Sequence, residues 1–152
     1  VGSEMCIRDR CYDKPVTMVT IVGTEASNPQ SLALLAYEVQ RSGGEIVSIT
    51  SDEKSSILYI SNGRKLINNL HKLMVEKKIG KAVSSFEELS MVSIKGRELE
   101  TNPGIIQRFI TPLADQGINI YGLVTISSSI KIFISTKEIE KALTLLRRTL
   151  KG

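Results

Sequence analysis

The feature that most constrains the fold of this chain is an internal repeat, in which one order of strands, loops and helices occurs twice. In each copy an Asn-Pro pair precedes a helical stretch and a glycine follows it, and both features recur after 74 residues. Such matches predict two copies of one supersecondary unit. At the offset of 74, Asn28-Pro29 matches Asn102-Pro103, Gly43 matches Gly117, and Glu45-Ile46 matches Asn119-Ile120. At an offset of 73, Ile57 to Asn62 matches Ile130 to Ser135, Leu70 matches Leu143, and Leu73 matches Leu146.

The first copy begins with alternating apolar and β-branched residues from Val16 to Gly23, which predicts a strand. Asn28 is a good N-cap and Pro29 suits a first helical turn. Glu45 to Thr50 and Ser56 to Ser61 read as two short strands around a polar turn. Two apolar stripes with helical spacing complete this copy: Leu32, Leu35, Ala36 and Val39, and then Leu66, Leu70, Leu73 and Met74.

The second copy follows the same order. Ala82 to Phe86 and Leu89 to Ile94 predict two strands, and Asn102-Pro103 predicts the start of a helix. Pro112 lies inside that helix, where a proline is expected to kink the helix or end it early. The last helix carries an apolar stripe of Ile139, Leu143, Leu146 and Leu150.

The predicted fold class is therefore α+β, with two ferredoxin-like βαββα modules whose antiparallel sheets carry their helices on one face. The first module covers 15–80, and the second covers 81–152 with its connecting strand. One such unit buries only a marginal core, so we expect the modules to share a sheet edge or to pair with a second chain.

The segment 1–14 is expected to lie outside the fold. Its first ten residues lack periodicity and the apolar core of a signal peptide, and they look like a translated sequencing-adapter remnant. If they are, the natural protein continues upstream. Both cysteines, Cys6 and Cys11, lie in this segment, which does not indicate a disulfide framework or a zinc site.

Composition argues against nucleic-acid and membrane partners. The chain is 41% hydrophobic and 24% charged, as in globular proteins, and no apolar run approaches the roughly 18 residues of a membrane span. Trp is absent and only three Phe and four Tyr are present, which is little material for stacking bases. The cytoplasm is the expected location.

No catalytic constellation is recognisable. His71 stands alone beside an apolar stripe, Ser127-Ser128-Ser129 has no neighbouring base, and no phosphate-binding glycine loop occurs. We therefore predict no catalytic residue, metal or cofactor in this chain. The two helix starts remain as candidates for a ligand site, because unpaired N–H groups and the helix dipole suit a carboxylate. Gly104 would let a ligand approach the backbone closely.

Several stretches resemble the tandem ACT domains of aspartate kinase regulatory regions. In the second half they are Leu89 to Gly96, Asn102 to Ile110, Gln116 to Tyr121, Ser128 to Ile134 and the closing helix from Ser135. Val19 to Met74 resembles the first ACT domain, and Ala82 to Glu88 resembles the connecting strand. The resemblance covers about residues 15 to 150.

The resemblance implies allosteric regulation. In that family a preceding kinase domain phosphorylates aspartate with ATP and Mg²⁺, and the ACT pair forms a homodimer that binds lysine or threonine as feedback inhibitors. The ligand-binding residues that it implies are Asn28, Pro29, Gln30, Ser31, Leu32, Glu45, Ile46, Thr50 and Ser51 in the first copy, and Asn102, Pro103, Gly104, Ile105, Asn119, Ile120 and Thr125 in the second.

This sequence departs from the family pattern in both copies. It has Val47 where an acidic residue is frequent, Thr125 where a Gln is common, and no glutamate in the loop 127–129. Two other functions stay open. A free-standing ACT regulatory subunit, such as that of acetolactate synthase, has about this length but usually a single ACT domain. An RNA-binding ferredoxin-like module would need exposed aromatics, for which Tyr59 and Phe133 are the candidates.

Overall fold

The computed structural model describes residues 15–23, 28–63, 66–126 and 128–151, and the backbone of residues 6–8. These residues form two compact units, one ending at Glu88 and the other beginning at Leu89 and including the short N-terminal strand. In chain order the elements are β1 (Cys6–Arg8), β2 (Val16–Val22), α1 (Pro29–Arg41), β3 (Glu45–Ser51), β4 (Ser55–Ser61), α2 (Ile67–Lys77), β5 (Ala82–Lys95), α3 (Glu98–Thr101), α4 (Ile105–Asp115), β6 (Ile120–Ile126), β7 (Ser129–Ser135), a 3-10 turn (Thr136–Glu138) and α5 (Ile139–Lys151).

In the first module β4 is the central strand and pairs antiparallel with both β2 and β3. The sheet order is β3-β4-β2, followed by β5. Alternate strand residues face α1 and α2, as the period-2 pattern predicted. The resulting core contains Val19, Ile21, Leu35, Val39, Leu58, Ile60, Leu66, Leu70, Met74 and Ile79.

The second module has the same arrangement, with β7 pairing antiparallel with β5 and β6. Its core contains Val92, Ile94, Ile105, Phe109, Leu113, Ile118, Ile130, Ile132, Ile134, Ile139, Ala142, Leu143 and Leu146. The predicted class, α+β with two ferredoxin-like modules, is confirmed. None of the described helices is long and apolar enough to cross a membrane.

A β-bulge recurs at the same place in both modules. The register shifts between Ile46 and Ser48 in β3, and between Ile120 and Gly122 in β6, at an offset of 74 residues. The central strands β4 and β7 also match at 74, not at the 73 that the sequence comparison suggested. The difference matters because a shift of one residue would move every side chain of a strand to the other face.

The connecting segment is one strand, β5, where two strands were predicted. Glu88 has a left-handed backbone (φ 63), and the two units divide directly after it. Three residues of the segment that the sequence analysis set aside, Cys6–Arg8, pair antiparallel with Ser93–Lys95 at the edge of the second module. The rest of that segment, residues 1–5 and 9–14 with Cys11, lies outside the described residues.

The two helix starts differ, although the sequence predicted them to be alike. The Asn28 side chain accepts a hydrogen bond from the Gln30 amide at 2.9 Å and caps α1 as expected. By contrast, α4 begins at Ile105 with Gly104 as its N-cap, and Asn102 ends the four-residue helix α3, so the predicted helix start at Asn102-Pro103 is wrong.

Pro112 neither ends α4 nor removes its C-terminal turn. The helix continues through Pro112 to Asp115, and Gly117 follows with the positive φ of a helix end. A proline at this position has no N–H to donate to the carbonyl of Arg108, four residues earlier. One hydrogen bond of the helix ladder is therefore absent at that carbonyl.

Replacement of Leu35 by Ala is expected to lower the free energy of unfolding by about 2–5 kcal/mol, because it removes a fully buried side chain from the first core. The neighbouring Leu34 is 39% exposed on the same helix, so Leu34→Ala is the matched control and should cost well under half as much. Urea unfolding followed by circular dichroism measures both. Equal effects would contradict the orientation of α1.

The two asparagines give a second paired test. Asn28→Ala should destabilise the protein by about 1 kcal/mol, because it removes the side-chain cap of α1. Asn102→Ala should change stability by no more than about 0.5 kcal/mol, because Asn102 is exposed and ends α3 through its backbone N–H and not through its side chain. Thermal and urea unfolding of both variants measure these effects. A loss of stability in Asn102→Ala as large as that in Asn28→Ala would show that the two asparagines cap their helices alike.

Candidate functional site

The predicted site residues of the first module lie at two ends of its sheet. Ser51 is opposite Ser56 and Val22 is opposite Ser55, so the end of β3 lies beside the end of β2, from which the chain leads to α1. Thr50 and Ser51 therefore share an edge with the predicted residues of the α1 start, Asn28, Pro29, Gln30, Ser31 and Leu32. Glu45 and Ile46 begin β3 at the opposite edge, about 20 Å away along a seven-residue strand.

The turn that adjoins Ser51 is held by Asp52. Its carboxylate accepts hydrogen bonds from the amides of Lys54 at 2.8 Å and Ser55 at 2.9 Å. These backbone donors hold the pKa of the Asp52 carboxyl below its ordinary value, and the amide of Lys54 makes the largest contribution. The turn thus presents a charged carboxylate at neutral pH directly after the end of β3.

The second module divides its predicted residues in the same way. Thr125 lies near the end of β6, at the edge where β5 leads to α3 and α4, since Thr125 is opposite Ile130 and Ile126 opposite Ser129. Asn119 and Ile120 lie at the opposite edge, where Ile120 pairs with Ile134. Seven of the nine predicted residues of the first module and five of the seven of the second therefore lie at the end of the sheet where the helix begins.

A cavity of about 240 Å³ lies between α3 and α4 and brings four predicted residues together. Its lining comprises Asn102, Pro103, Gly104 and Ile105 together with Leu99, Glu100, Thr101 and Ile106. Glu100 was missed by the sequence analysis, because a four-residue helix has too few turns to show periodicity. The cavity is smaller than the roughly 300–1,000 Å³ of drug-sized sites, which limits it to a small ligand.

The cavity combines two kinds of charge. The start of α4 carries amides without partners in their own helix and the positive end of the helix dipole, which attract a carboxylate. Glu100 adds a carboxylate that attracts an ammonium group. Gly104 has φ 81, and a Cβ added there would meet no atom within 4 Å, so this stretch of backbone is open to a ligand.

A larger and more open groove of about 560 Å³ runs along the other side of Gly104. Its lining consists of Gly104, Gln107, Arg108, Thr111, Pro112 and Thr149. Apart from Gly104, none of these residues was predicted. We regard the smaller cavity as the candidate site, because its lining contains all four predicted residues around the start of α4 together with the acidic Glu100.

Other candidate chemistries find little support in the described part of the chain. It contains no group of three or more His, Cys, Asp or Glu side chains that could hold a metal ion. His71 is exposed on α2, and Ser127 lies outside the described residues. Tyr59 is 3% exposed, with a pKa raised by burial, and Phe133 is fully buried, so neither ring can stack on a base.

Comparisons with known proteins identify relatives of this chain. Residues 84–148 match the ACT domain family. An aspartokinase from Geobacillus stearothermophilus is 33% identical over 142 residues, which are 91% of this chain and 33% of that protein. The chain thus spans about a third of the length of the curated relative that it matches.

Solved structures show the same fold. Clostridium acetobutylicum aspartate kinase superposes with a TM-score of 0.81 at 13% identity, over 96% of this chain and 34% of that one. The ligand-free regulatory subunit of aspartate kinase from Thermus thermophilus gives 0.70 at 16% identity, over 95% of both chains. E. coli aspartokinase III in complex with lysine and aspartate gives 0.71 at 18%, over 97% of this chain and 33% of that one.

The order of elements and the two cores agree with the fold of these solved structures. The sequence identity to an aspartokinase extends over most of the chain. The chain is a homologue of aspartokinase, and its residues 84–148 are an ACT domain.

Proposed function

We propose that this chain is the allosteric regulatory region of an aspartokinase and binds an end-product amino acid, lysine or threonine, as a feedback inhibitor. The homology to aspartokinase supports the regulatory role. The E. coli enzyme of the same fold has been solved with lysine bound, which supports the choice of effector. ATP and Mg²⁺ would bind to a kinase domain of the parent protein, which we place in the cytoplasm.

The cavity between α3 and α4 is the observation that carries this proposal. A free amino acid has a carboxylate and an ammonium group two bonds apart. The start of α4 suits the carboxylate, and Glu100 suits the ammonium group. A cavity whose lining includes both an acidic side chain and a helix start favours a zwitterion over a simple anion or cation.

The first module offers a related but different surface. The start of α1 is exposed at Asn28, Pro29 and Gln30, but the Asn28 side chain already occupies the Gln30 amide. An effector at this copy would therefore have to bind the other amides at the start of α1. Thr50 and Ser51 lie at the same end of the sheet. The predicted residues Glu45, Ile46, Asn119 and Ile120 lie at the opposite end of the sheet from the helix start of their own module.

Regulation would then operate through a shift between subunit arrangements. A homodimer in which the effector binds one arrangement more tightly than the other moves the population toward that arrangement. The attached kinase domain responds if its activity differs between the two. The free energy that drives this change equals the difference between the two binding free energies and no more.

Isothermal titration calorimetry of the chain with single amino acids tests the proposal. Lysine or threonine should give saturable heat at submillimolar to millimolar concentration, while glycine and alanine should not. Absence of heat with lysine, threonine, methionine and the branched-chain amino acids would refute effector binding by this chain.

A charge variant locates the binding site. Glu100→Gln should weaken effector binding about two- to fivefold, because water screens an exposed charge pair to about 1 kcal/mol or less. Asp115→Asn removes one carboxylate from the far end of α4 and should leave the affinity unchanged. Binding that is equally insensitive to both substitutions would place the effector outside the cavity.

A further inference from the structure

Four polar residues cluster on the face of the second sheet that points away from its helices. Val92, Ile94, Ile130 and Ile132 belong to the core, so the alternating neighbours Ser93, Lys95, Ser129 and Lys131 project from the other face. Ser93 is directly opposite Lys131, and Lys95 is directly opposite Ser129. Directly opposite Cβ atoms are about 5 Å apart, and residues i and i+2 of a strand are about 7 Å apart. The four side chains therefore start from a patch of about 5 by 7 Å.

Both hydroxyl groups of this cluster lack a hydrogen-bond partner. Ser93 is 2% exposed, and its Oγ atom is buried without a partner. The Oγ atom of Ser129 is in the same condition. A buried hydroxyl without a partner costs free energy, and native proteins keep few of them. These are the two such side-chain atoms in the described part of the chain, and they lie in one cluster.

Among the described residues, β6 places no carboxylate beside the two lysines on this face. On the adjoining strand β6, Val124 is opposite Lys131 and Ile126 is opposite Ser129, so the flanking positions are apolar. The two lysines are diagonal neighbours on paired strands, which places two positive charges on one patch of the sheet. The arrangement therefore concentrates positive charge without a counterion from the neighbouring strand.

The first module shows that the fold does not require these residues. Through the same pairing scheme, Thr20 is opposite Ile57 and Val22 is opposite Ser55. Valine and isoleucine thus stand in the first module where the second has Lys95 and Lys131. The lysines are a property of one copy only, as expected for a site and not for a structural requirement.

We propose that Ser93, Lys95, Ser129 and Lys131 bind a phosphate group. Each lysine ammonium provides three donors and each serine hydroxyl one, which suits a tetrahedral anion with several acceptor oxygens. Binding requires that the Oγ atoms of Ser93 and Ser129, which are buried in this structure, become exposed to the ligand. The phosphate group belongs to inorganic phosphate or to a nucleotide. This site lies on the opposite face of the sheet from α4 and is independent of the proposed effector site.

Amide chemical shifts of the ¹⁵N-labelled chain test the proposal directly. Titration with inorganic phosphate against sodium chloride of equal ionic strength should give saturable shifts at all four residues. The double variant Lys95→Gln/Lys131→Gln should weaken binding at least tenfold. Lys141→Gln, an exposed lysine on α5, is the control and should leave binding unchanged. Shifts that do not saturate, or that persist in the double variant, would overturn the site.

ADP as a second titrant distinguishes the sources of the phosphate. Equal affinity for ADP and phosphate means that the phosphate group alone is recognised, whereas tighter binding of ADP identifies a nucleotide; both outcomes support the site. Failure of both titrants to bind would overturn it.

Ser93→Ala separates a binding role from a structural one. The variant should be at least as stable as the parent chain in urea, because an unpartnered buried hydroxyl has been removed. Its affinity for phosphate should nevertheless fall severalfold. A loss of stability, or an unchanged affinity, would show that the Ser93 hydroxyl is not a free donor.

Discussion

Hydrogen bonding of the central strand to its two neighbours governs each module, because it decides which side chains reach the helices. In the second module β7 places Ile130, Ile132 and Ile134 against α4 and α5 and leaves Ser129 and Lys131 on the other face. The core, the helix positions and the polar cluster are consequences of that single register. A slip of one residue would exchange the two sets.

The modules share this register but differ where function would be expected. The first helix begins with an asparagine cap, whereas the second begins with a left-handed glycine after a short extra helix. That short helix provides Glu100 and encloses the cavity with Gly104. The capping residues Asn28 and Gly104 are exposed, so they can diverge while the sheet and its packing stay the same.

Periodicity was sufficient to predict the sheets and long helices, because burial of alternate or every third to fourth residue leaves a clear apolar pattern. It could not reveal α3, which has only four residues, or the left-handed start of α4 at Gly104. The offset between β4 and β7 was misjudged by one, because Ile57 and Ile130 are both apolar although they face opposite sides. The residues of the candidate site at the helix start could be predicted from the sequence, but Glu100 could not. The cluster of Ser93, Lys95, Ser129 and Lys131 could not be predicted either, because its members meet only after the strands pair.

The bulge at Ile46 and Ser48, repeated at Ile120 and Gly122, also bears on the history of the molecule. An extra residue at the same place in both copies is most simply inherited from a single ancestral unit that already carried it before the gene segment was duplicated. Lys95 and Lys131 correspond to Val22 and Ile57 of the first module. Either the second module acquired the lysines after the duplication, or the first module lost them. Comparison of the two modules thus shows which positions have changed since the duplication.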